Sequence, residues 1–291
     1  MNLSSPAEIK ALLEKNGFRF SKALGQNFLI NPGVCPRMAE AAVPGPEYGV
    51  IEVGPGIGVL TVELAQRAAK VVAIELDRRL FPILEETLAD CDNVRVHEGD
   101  VLETDLKQLI ADEFTRPDGT LMPLVLCANL PYYITSPVLM KLLSEDLPLE
   151  TITVMVQKEA ADRLCAEVGT RAAGAVTVAI QYYAEAEQLF FVSKGSFLPA
   201  PKVDSEVIRL TLRRGAGAGE DLDEAAFFRM VQAGFSQRRK TIMNSFSAAL
   251  NMSKDDLGAM LDSLGIPRTA RIEQLTMEQL LAVYKASRKV V

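Results

Sequence analysis

The feature that most constrains this chain is a repeated pairing of a short apolar run with a following amphipathic segment. Between residues 49 and 167 the apolar runs are GVIEVG, VVAIEL, VRVHEG, PLVLCANL and TITVMVQ. A stretch with the helical spacing of apolar residues follows each run. Apolar strands that alternate with amphipathic helices predict an α/β fold with a parallel sheet covered on both faces.

The remainder of the chain predicts a smaller helical region at each end. EQLFFV and SEVIRLTLRR alternate polar and apolar residues, which favours antiparallel strands at one sheet edge. GAGAGED, residues 215–221, has the composition of a linker, and every later segment has helical spacing. We therefore predict an N-terminal helical segment at 1–45, a sheet domain at 46–214 and an all-helical C-terminal domain at 221–291.

The cysteines and the single histidine limit the chemistry. Cys35, Cys91, Cys127 and Cys165 form no CxxC pair, and His97 is the only histidine. This pattern argues against a metal site, a disulfide scaffold and a histidine-based catalytic triad. We interpret all five residues as structural, because free cysteines are usually buried as small apolar groups.

The charge pattern allows an anionic partner in spite of a net charge of −7. Residues 1–37 carry five basic and two acidic side chains, and residues 201–291 carry 14 and 11. Basic ends on an acidic body favour local binding of a polyanion, although solvated charged faces are the alternative. No apolar run approaches the roughly 20 residues of a membrane span, and the N-terminus lacks a secretory apolar core. We expect a cytoplasmic monomer.

A glycine-rich loop follows the first strand of the predicted sheet. IEVGPGIGVLT contains Gly54, Gly56 and Gly58, which allow backbone N–H groups to approach a ligand, and Glu52 precedes them. The spacing is GxGxG rather than the GxGxxG of dinucleotide binders, and no Lys-Ser/Thr pair follows, which excludes a P-loop. A tight structural turn is the alternative.

Carboxylates follow the next two strands. Glu75 ends the second strand about twenty residues after the glycine loop, where an acid accepts hydrogen bonds from ribose hydroxyls. Asp100, followed by Val101, ends the third strand and is placed to accept from an adenine amino group. Each acid alone is also consistent with a helix cap or a solvated charge. In series, they predict a cofactor that contains adenosine, with S-adenosylmethionine and NAD as the candidates.

The segment NLPYYIT, residues 129–135, follows the fourth strand. The Asn129 amide oxygen and the Leu130 carbonyl can accept both hydrogens of an exocyclic amine, Pro131 stiffens the turn, and Tyr132 can stack on a flat base. Two fixed acceptors localise the lone pair of an adenine N6 and direct it at an electrophilic methyl group without a covalent intermediate. This chemistry favours S-adenosylmethionine over NAD. An ordinary Asn-Pro turn with a packed tyrosine is the alternative.

Taken together, these segments resemble successive motifs of the rRNA adenine N6-dimethyltransferases. The matching motifs are QNFL (26–29), EVGPGIGVLT, AIELD, GD (99–100), NLPYYIT, SFLPAPKVDSEVIRL (196–210) and FSQRRKTIMN (235–244). The last two are more similar to the bacterial small-subunit branch, the KsgA/RsmA family, than to the macrolide-resistance enzymes that modify large-subunit rRNA. The motifs cover most of the chain.

The resemblance implies a Rossmann-like class I methyltransferase sheet with a small helical C-terminal domain. The implied reaction dimethylates two adjacent adenosines in a hairpin near the 3′ end of 16S rRNA, within the small ribosomal subunit during its assembly. Implied contacts to S-adenosylmethionine come from Asn27, Leu29, Gly54, Glu75, Asp100 and Asn129. The complete predicted cofactor site adds Gln26, Glu52, Gly56, Gly58 and Val101.

The resemblance also implies how the target adenine and its RNA are held. Asn129, Leu130, Pro131 and Tyr132 form the predicted catalytic segment. Phe197, which precedes PAPK in a rigid loop that we expect to be exposed, would stack on the opposite face of the adenine, a core phenylalanine being the alternative. Predicted RNA contacts are Arg19, Lys22, Lys202, Arg238, Arg239 and Lys240, with a solvated basic face as the alternative.

Two other functions remain open from the sequence. One is N6-adenine methylation of large-subunit rRNA, which would use the same chemistry with a different RNA partner. The other is a non-catalytic assembly factor that binds RNA and retains the cofactor fold.

Overall fold

A computed structural model describes residues 3–21, 25–213 and 222–288. Two predictions fall outside the described residues, namely the linker at 215–221 and the RNA contact at Lys22.

The described chain forms nine strands and twelve α-helices. In chain order the strands are β1 Phe28–Leu29, β2 Gly49–Val53, β3 Lys70–Glu75, β4 Val94–Glu98, β5 Leu124–Asn129, β6 Leu149–Gln157, β7 Ala184–Val192, β8 Phe197–Leu198 and β9 Ser205–Leu212. The helices are α1 Pro6–Lys15, α2 Val34–Ala42, α3 Val59–Ala65, α4 Phe81–Thr87, α5 Leu106–Phe114, α6 Thr135–Ser144, α7 Lys158–Leu164, α8 Ala175–Tyr183, α9 Glu224–Ser236, α10 Ile242–Ala249, α11 Lys254–Ser263 and α12 Met277–Ser287.

Seven strands form one sheet in the order β4-β3-β2-β5-β6-β9-β7, and β1 pairs with β8 separately. The strands from β4 to β6 are parallel, and β9 runs antiparallel to β6. β5 lies at the centre, and all of its residues except Asn129 are buried, as its unbroken apolar run predicts. The α/β fold and the antiparallel strand near one edge are confirmed.

The strand order places the glycine-containing turn after β2 beside the turn after β5, which begins at Asn129. β2 lies between β3 and β5, so the connections after β2 and β5 leave the sheet in opposite directions. Val53 pairs with Ala128, which brings the next residues, Gly54 and Asn129, to the same carboxyl edge. Open α/β sheets bind ligands in the crevice at such a switch point.

The chain divides into two compact units at boundaries that differ from the predicted ones. The first spans residues 1–161 and 187–212, and the second spans 162–186 and 213–291. The segment 162–186, with α8, was predicted to belong to the sheet domain. It joins the helical unit because Val168 and Val178 are buried in the same apolar cluster as Phe227.

The helices of the second unit begin at capping residues that the sequence supplies. Asp223 accepts a hydrogen bond from the backbone N–H of Ala226, and Ser253 accepts one from Asp256. Thr276 and Gln279 cap each other before α12. These caps satisfy N–H groups that a helix leaves without partners in its first turn, so they define where the helices begin.

Within the described ranges, no helix is long and apolar enough to span a bilayer. The same residues contain no group of three or more His, Cys, Asp or Glu side chains that could hold a metal ion.

Candidate active site

A cavity opens at the carboxyl ends of β2, β3 and β5 in the first unit. Its volume is about 1080 Å³, including the part that is open to solvent. Of the residues predicted for the cofactor and catalytic sites, the cavity is lined by Gln26, Asn27, Leu29, Glu52, Gly54, Gly56, Glu75, Asp100, Val101, Asn129, Leu130, Pro131, Tyr132 and Phe197. Residues from six separate segments therefore meet at one site.

The glycine loop turns sharply between β2 and α3. Gly54 and Gly56 have φ values of 70° and 60°, which L side chains rarely adopt. A Cβ at Gly56 would lie 3.2 Å from the Phe28 ring, so the close approach of the loop to β1 also favours glycine there. The loop leaves its backbone facing the cavity.

Gly58 has a different position from its two neighbours in the motif. It does not line the cavity but precedes α3, with a φ of 86°. A Cβ at Gly58 would lie 3.0 Å from Thr87 Oγ1 and 3.1 Å from Leu88. In this structure Gly58 therefore allows close packing against α4 and does not line the cavity, and its role in cofactor binding stays a prediction.

Glu75 is buried at the end of β3 and is held by backbone amides. Its Oε1 accepts from the N–H of Asp77 at 2.8 Å, and its Oε2 accepts from the N–H of Gly56 at 3.3 Å. Burial raises the pKa of Glu75, and these amide bonds oppose the rise. The carboxyl is thereby fixed in orientation between the glycine loop and the cavity.

Glu52 is also buried, but its surroundings differ. Its side chain lies at the end of β2 with 1% of the residue exposed, and its Oε2 has no hydrogen-bond partner among the described residues. Burial raises the pKa of Glu52 to about 8, and the charge of Glu75 adds to the rise. An orphaned carboxyl oxygen beside a cavity is suited to a cationic or hydrogen-donating ligand.

Asp100 and Val101 form the next wall, after β4. The Oδ1 atom of Asp100 accepts from the N–H of Leu102 at 2.9 Å, which orients the carboxyl at the turn. Val101 is buried and presents an apolar surface to the cavity.

The NLPY segment begins where β5 ends. Leu130 is buried, whereas Asn129, Pro131 and Tyr132 are partly exposed to the cavity. The Tyr132 hydroxyl lies 2.8 Å from Ser205 Oγ at the start of β9. Burial raises the pKa of Tyr132, so its hydroxyl remains protonated at neutral pH.

Phe197 lines the cavity but is not on an exposed loop. Only 3% of the residue is exposed, and its backbone pairs with Leu29 in the β1–β8 ribbon. The predicted exposure is wrong because this ribbon packs the ring into an apolar cluster that includes Val34 and Val207. The ring still reaches the cavity on the side of β1.

The sequence of this chain is similar to those of known proteins over nearly its whole length. Residues 17–289 match the family model described as ribosomal RNA adenine dimethylase. The chain belongs to this family. A ribosomal RNA small subunit methyltransferase A from Geobacillus sp. (strain WCH70) is 44% identical, with 100% of this chain and 99% of that protein covered. The protein of the same description from Listeria monocytogenes serotype 4b is also 44% identical, with 96% and 94% covered.

Solved structures of related enzymes resemble this dimethylase family member over most of its length. A dimethyladenosine transferase from Plasmodium falciparum has a TM-score of 0.74 at 26% identity, with 90% of this chain and 98% of that chain covered. The 23S rRNA methyltransferase ErmE has a TM-score of 0.64 at 30% identity, with 90% and 100% covered. The class I methyltransferase fold is thereby confirmed.

The sequence missed two residues beside the dimethylase cavity, Asp77 and Arg79, and two residues of its lining, Leu76 and Tyr133. The Gln26 amide donates to Asp77 Oδ2 at 2.7 Å, and the guanidinium of Arg79 holds the same carboxylate and lowers the pKa of Asp77. Leu76 and Tyr133 also line the cavity and are 50% and 56% exposed. In the motifs AIELD and NLPYY, Leu76 and Tyr133 directly follow the predicted site residues Glu75 and Tyr132. The exposure of a side chain cannot be predicted from such short segments.

The predicted RNA contacts of this dimethylase lie outside the cavity. Arg19 and Lys202, in the first unit, are exposed. In the second unit Arg239 and Lys240 are exposed, whereas Arg238 is partly buried and donates to the backbone carbonyl of Arg171 at 2.8 Å. Arg238 is therefore the most constrained of the basic side chains in the SQRRKT segment.

Proposed function

We propose that this protein uses S-adenosylmethionine to dimethylate the N6 atoms of two adjacent adenosines in a hairpin near the 3′ end of 16S rRNA. Its family and the printed names of its relatives support the rRNA substrate. The observation that carries the proposal is the position of Asn129 beside the glycine loop, with Leu130, Pro131 and Tyr132 in the same cavity.

The donor set of the cavity fits S-adenosylmethionine. When bound, this cofactor supplies an electrophilic methyl group on a positively charged sulfur. Glu75 would accept hydrogen bonds from the ribose hydroxyls of the cofactor, and Asp100 would accept one from its adenine amino group. The orphaned Oε2 of Glu52 suits a ligand with positive charge, and Asn27, Leu29 and Val101 complete the wall.

The catalytic segment acts by positioning the target amine. The Asn129 side-chain oxygen and the Leu130 backbone carbonyl accept the two N6 hydrogens of the adenine, which localises the nitrogen lone pair. Tyr132 and Phe197 stack on opposite faces of the base and offset part of the cost of unstacking it, a few kcal/mol. The protein contributes orientation and electrostatic stabilisation, with no covalent intermediate on a side chain.

The second methylation requires one acceptor to give up a hydrogen bond. After the first transfer a methyl group replaces one N6 hydrogen, so only one N–H remains for two acceptors. We propose that the neutral amide of Asn129 tolerates this loss better than a carboxylate would, because hydrogen bonds to charged acceptors are roughly twice as strong.

RNA binding completes the proposal. Arg19 and Lys202 are exposed on the unit that contains the cavity, and Arg239 and Lys240 are exposed on the helical unit. We assign these side chains to phosphate contacts, and the helical unit to recognition of the ribosomal subunit. We expect the protein to act as a monomer in the cytoplasm, where subunits are assembled.

The test is transfer of labelled methyl groups from S-adenosylmethionine to purified small and large ribosomal subunits from cells that lack these modifications. Mass spectrometry of the nucleosides identifies the product. Dimethyladenosine confined to the small subunit, and abolished by Asn129→Ala, is the expected result. Label on large-subunit RNA would overturn the substrate but keep the chemistry. Absence of transfer to either would favour the non-catalytic assembly factor.

A further inference from the structure

Asp204 and Ser205, at the start of β9, contact the two segments that carry the aromatic side chains of the cavity. Ser205 begins β9, and Asp204 precedes it in the motif PKVDSEV. Ser205 is completely buried, and its hydroxyl lies 2.8 Å from the Tyr132 hydroxyl.

Asp204 contacts the segment that leads to Phe197. Its Oδ1 accepts a hydrogen bond from the backbone N–H of Lys194 at 2.9 Å. Lys194 begins the single turn that ends at Ser196, directly before Phe197. The hydrogen bond of the Asp204 carboxylate therefore helps to fix the backbone that positions Phe197 in the cavity wall.

The backbone of this pair is itself held by the sheet. Ser205 pairs with Gln157 at the end of β6, and the Asp204 carbonyl accepts from the N–H of Lys158 at 3.0 Å. Because β6 is bonded to β5 along its length, the pair sits on the same rigid sheet from which Asn129 extends. Sites built on strands hold geometry more precisely than sites built on loops.

We infer that Asp204 and Ser205 are positioning residues that set the separation of Tyr132 and Phe197, and hence the slot for the target adenine. Ser205 holds the tyrosine ring through the hydroxyl pair, and Asp204 holds the segment of the phenylalanine. Neither residue lines the cavity, so both act through the aromatic side chains. This inference rests on the proposed function, because it assumes that the two rings enclose a base.

The hydroxyl pair explains why a tyrosine serves at position 132 when stacking alone needs only an aromatic ring. Phenylalanine would supply the same π-face, but its ring would not be tied to β9. A displacement of about 1 Å at a reacting centre can cost roughly 100-fold in rate, so a tethered ring is an advantage for methyl transfer.

The experiment compares Ser205→Ala, Ser205→Thr and Tyr132→Phe in methyl transfer to small subunits, with cofactor affinity measured separately. Ser205→Ala and Tyr132→Phe should each lower kcat/KM for RNA about 10-fold and raise the ratio of monomethyl to dimethyl product, with cofactor affinity unchanged. Ser205→Thr keeps the hydroxyl and should retain the activity that Ser205→Ala loses. The double variant should be no worse than Tyr132→Phe, because both changes remove the same contact.

A second pair of variants tests the other contact, and one further variant controls for loss of a buried hydroxyl. Asp204→Ala should lower kcat/KM, whereas Asp204→Asn keeps an acceptor oxygen for Lys194 and should largely retain it. Thr153→Val removes a buried hydroxyl from β6 that has no partner among the described residues, and it should not change the kinetics.

The outcomes separate the two proposals. If the wild-type protein methylates small subunits but folded Ser205→Ala and Tyr132→Phe both match it within twofold, the positioning role is refuted. If Ser205→Ala does not fold, Tyr132→Phe alone decides, since it deletes the same contact from the other side. If the wild-type protein transfers no methyl group, the proposed function itself fails.

Discussion

The side of the cavity at the ends of β2, β3 and β4 contains carboxyl groups, whereas the side formed by the end of β5 and the β1–β8 ribbon contains an amide and aromatic rings. On the first side, which we call the cofactor side, are Glu52, Glu75 and Asp100. On the second, the base side, are Asn129, Tyr132 and Phe197. The cofactor side is built from turns at the edge of the large sheet, whereas the base side combines the turn after β5 with the β1–β8 ribbon, so the two sides differ in architecture as well as in side chains.

The comparison shows how one sheet edge can hold two partners of different charge. Carboxyl groups accept hydrogen bonds from hydroxyl donors, and in their charged form they attract a cation and repel the anionic backbone of RNA. Neutral acceptors and π-faces suit an uncharged base whose amine must remain nucleophilic. The two buried acids also differ, because Glu75 accepts two backbone N–H bonds while Glu52 Oε2 has none among the described residues.

The largest expected effect comes from the base side. Asn129→Ala removes the side-chain acceptor of the target amine, and methyl transfer should fall roughly 10³-fold, as it does when a preorganised polar group is lost from an active site. Cofactor affinity, measured by calorimetry, should fall less than tenfold. Equal losses in both quantities would contradict the division between the two sides.

Glu52 predicts a pH dependence of stability. Its folded pKa of about 8 lies above the reference value of 4.5, so the folded state binds more protons than the unfolded state between these values. Stability should therefore decrease as the pH rises, by about 3 kcal/mol from pH 5 to pH 8 through this group.

The measurement for Glu52 is urea unfolding of the wild-type protein and of Glu52→Gln at both pH values. Glu52→Gln should flatten the dependence and be the more stable protein at pH 8. Thr153→Val, which removes a buried hydroxyl of β6 but keeps the Glu52 carboxyl, is the control and should retain the wild-type slope. If the unfolding free energy of Glu52→Gln depended on pH as strongly as that of the wild-type protein, Glu52 would not be the titrating group.

Glu75→Gln should weaken cofactor binding by about 2 kcal/mol, roughly 30-fold, because hydrogen bonds to a charged acceptor are replaced by weaker ones. With saturating cofactor the rate should change less than threefold. Glu98→Gln is the matched control, since Glu98 pairs with Glu75 in register on β4 but lies on the exposed surface beside Arg78. A fall in kcat with unchanged cofactor affinity would place Glu75 on the base side instead.

Asn129→Asp tests the need for a neutral acceptor and should have the smallest effect. A carboxylate holds the remaining N–H of the monomethyl amine about 1 kcal/mol more strongly, so the monomethyl fraction should rise about fivefold. Mass spectrometry of the product nucleosides measures this ratio. A dimethyl fraction equal to that of the wild-type protein would refute the argument from neutrality.

Much of the site was predictable because strand ends are marked locally. The strands β2, β3 and β5 end at Val53, Glu75 and Asn129, and part of the cavity lining lies at or directly after these ends. Gly58 shows the limit of this reasoning. It belongs to the same motif as Gly54 and Gly56, but the helix that follows turns it away from the cavity and against α4.

The sequence by itself determined the order of strands and helices, the glycine turn and the series of acids, because period and turn chemistry are properties of short segments. The tertiary structure decided contacts between distant segments. Tyr132 meets Ser205 across 73 residues, Gln26 meets Asp77 across 51, and the ribbon of β1 and β8 buries Phe197. Residues 162–186 joined the helical unit for the same reason. Such contacts depend on which apolar surfaces pack together, and a local sequence pattern does not predict which surfaces these are.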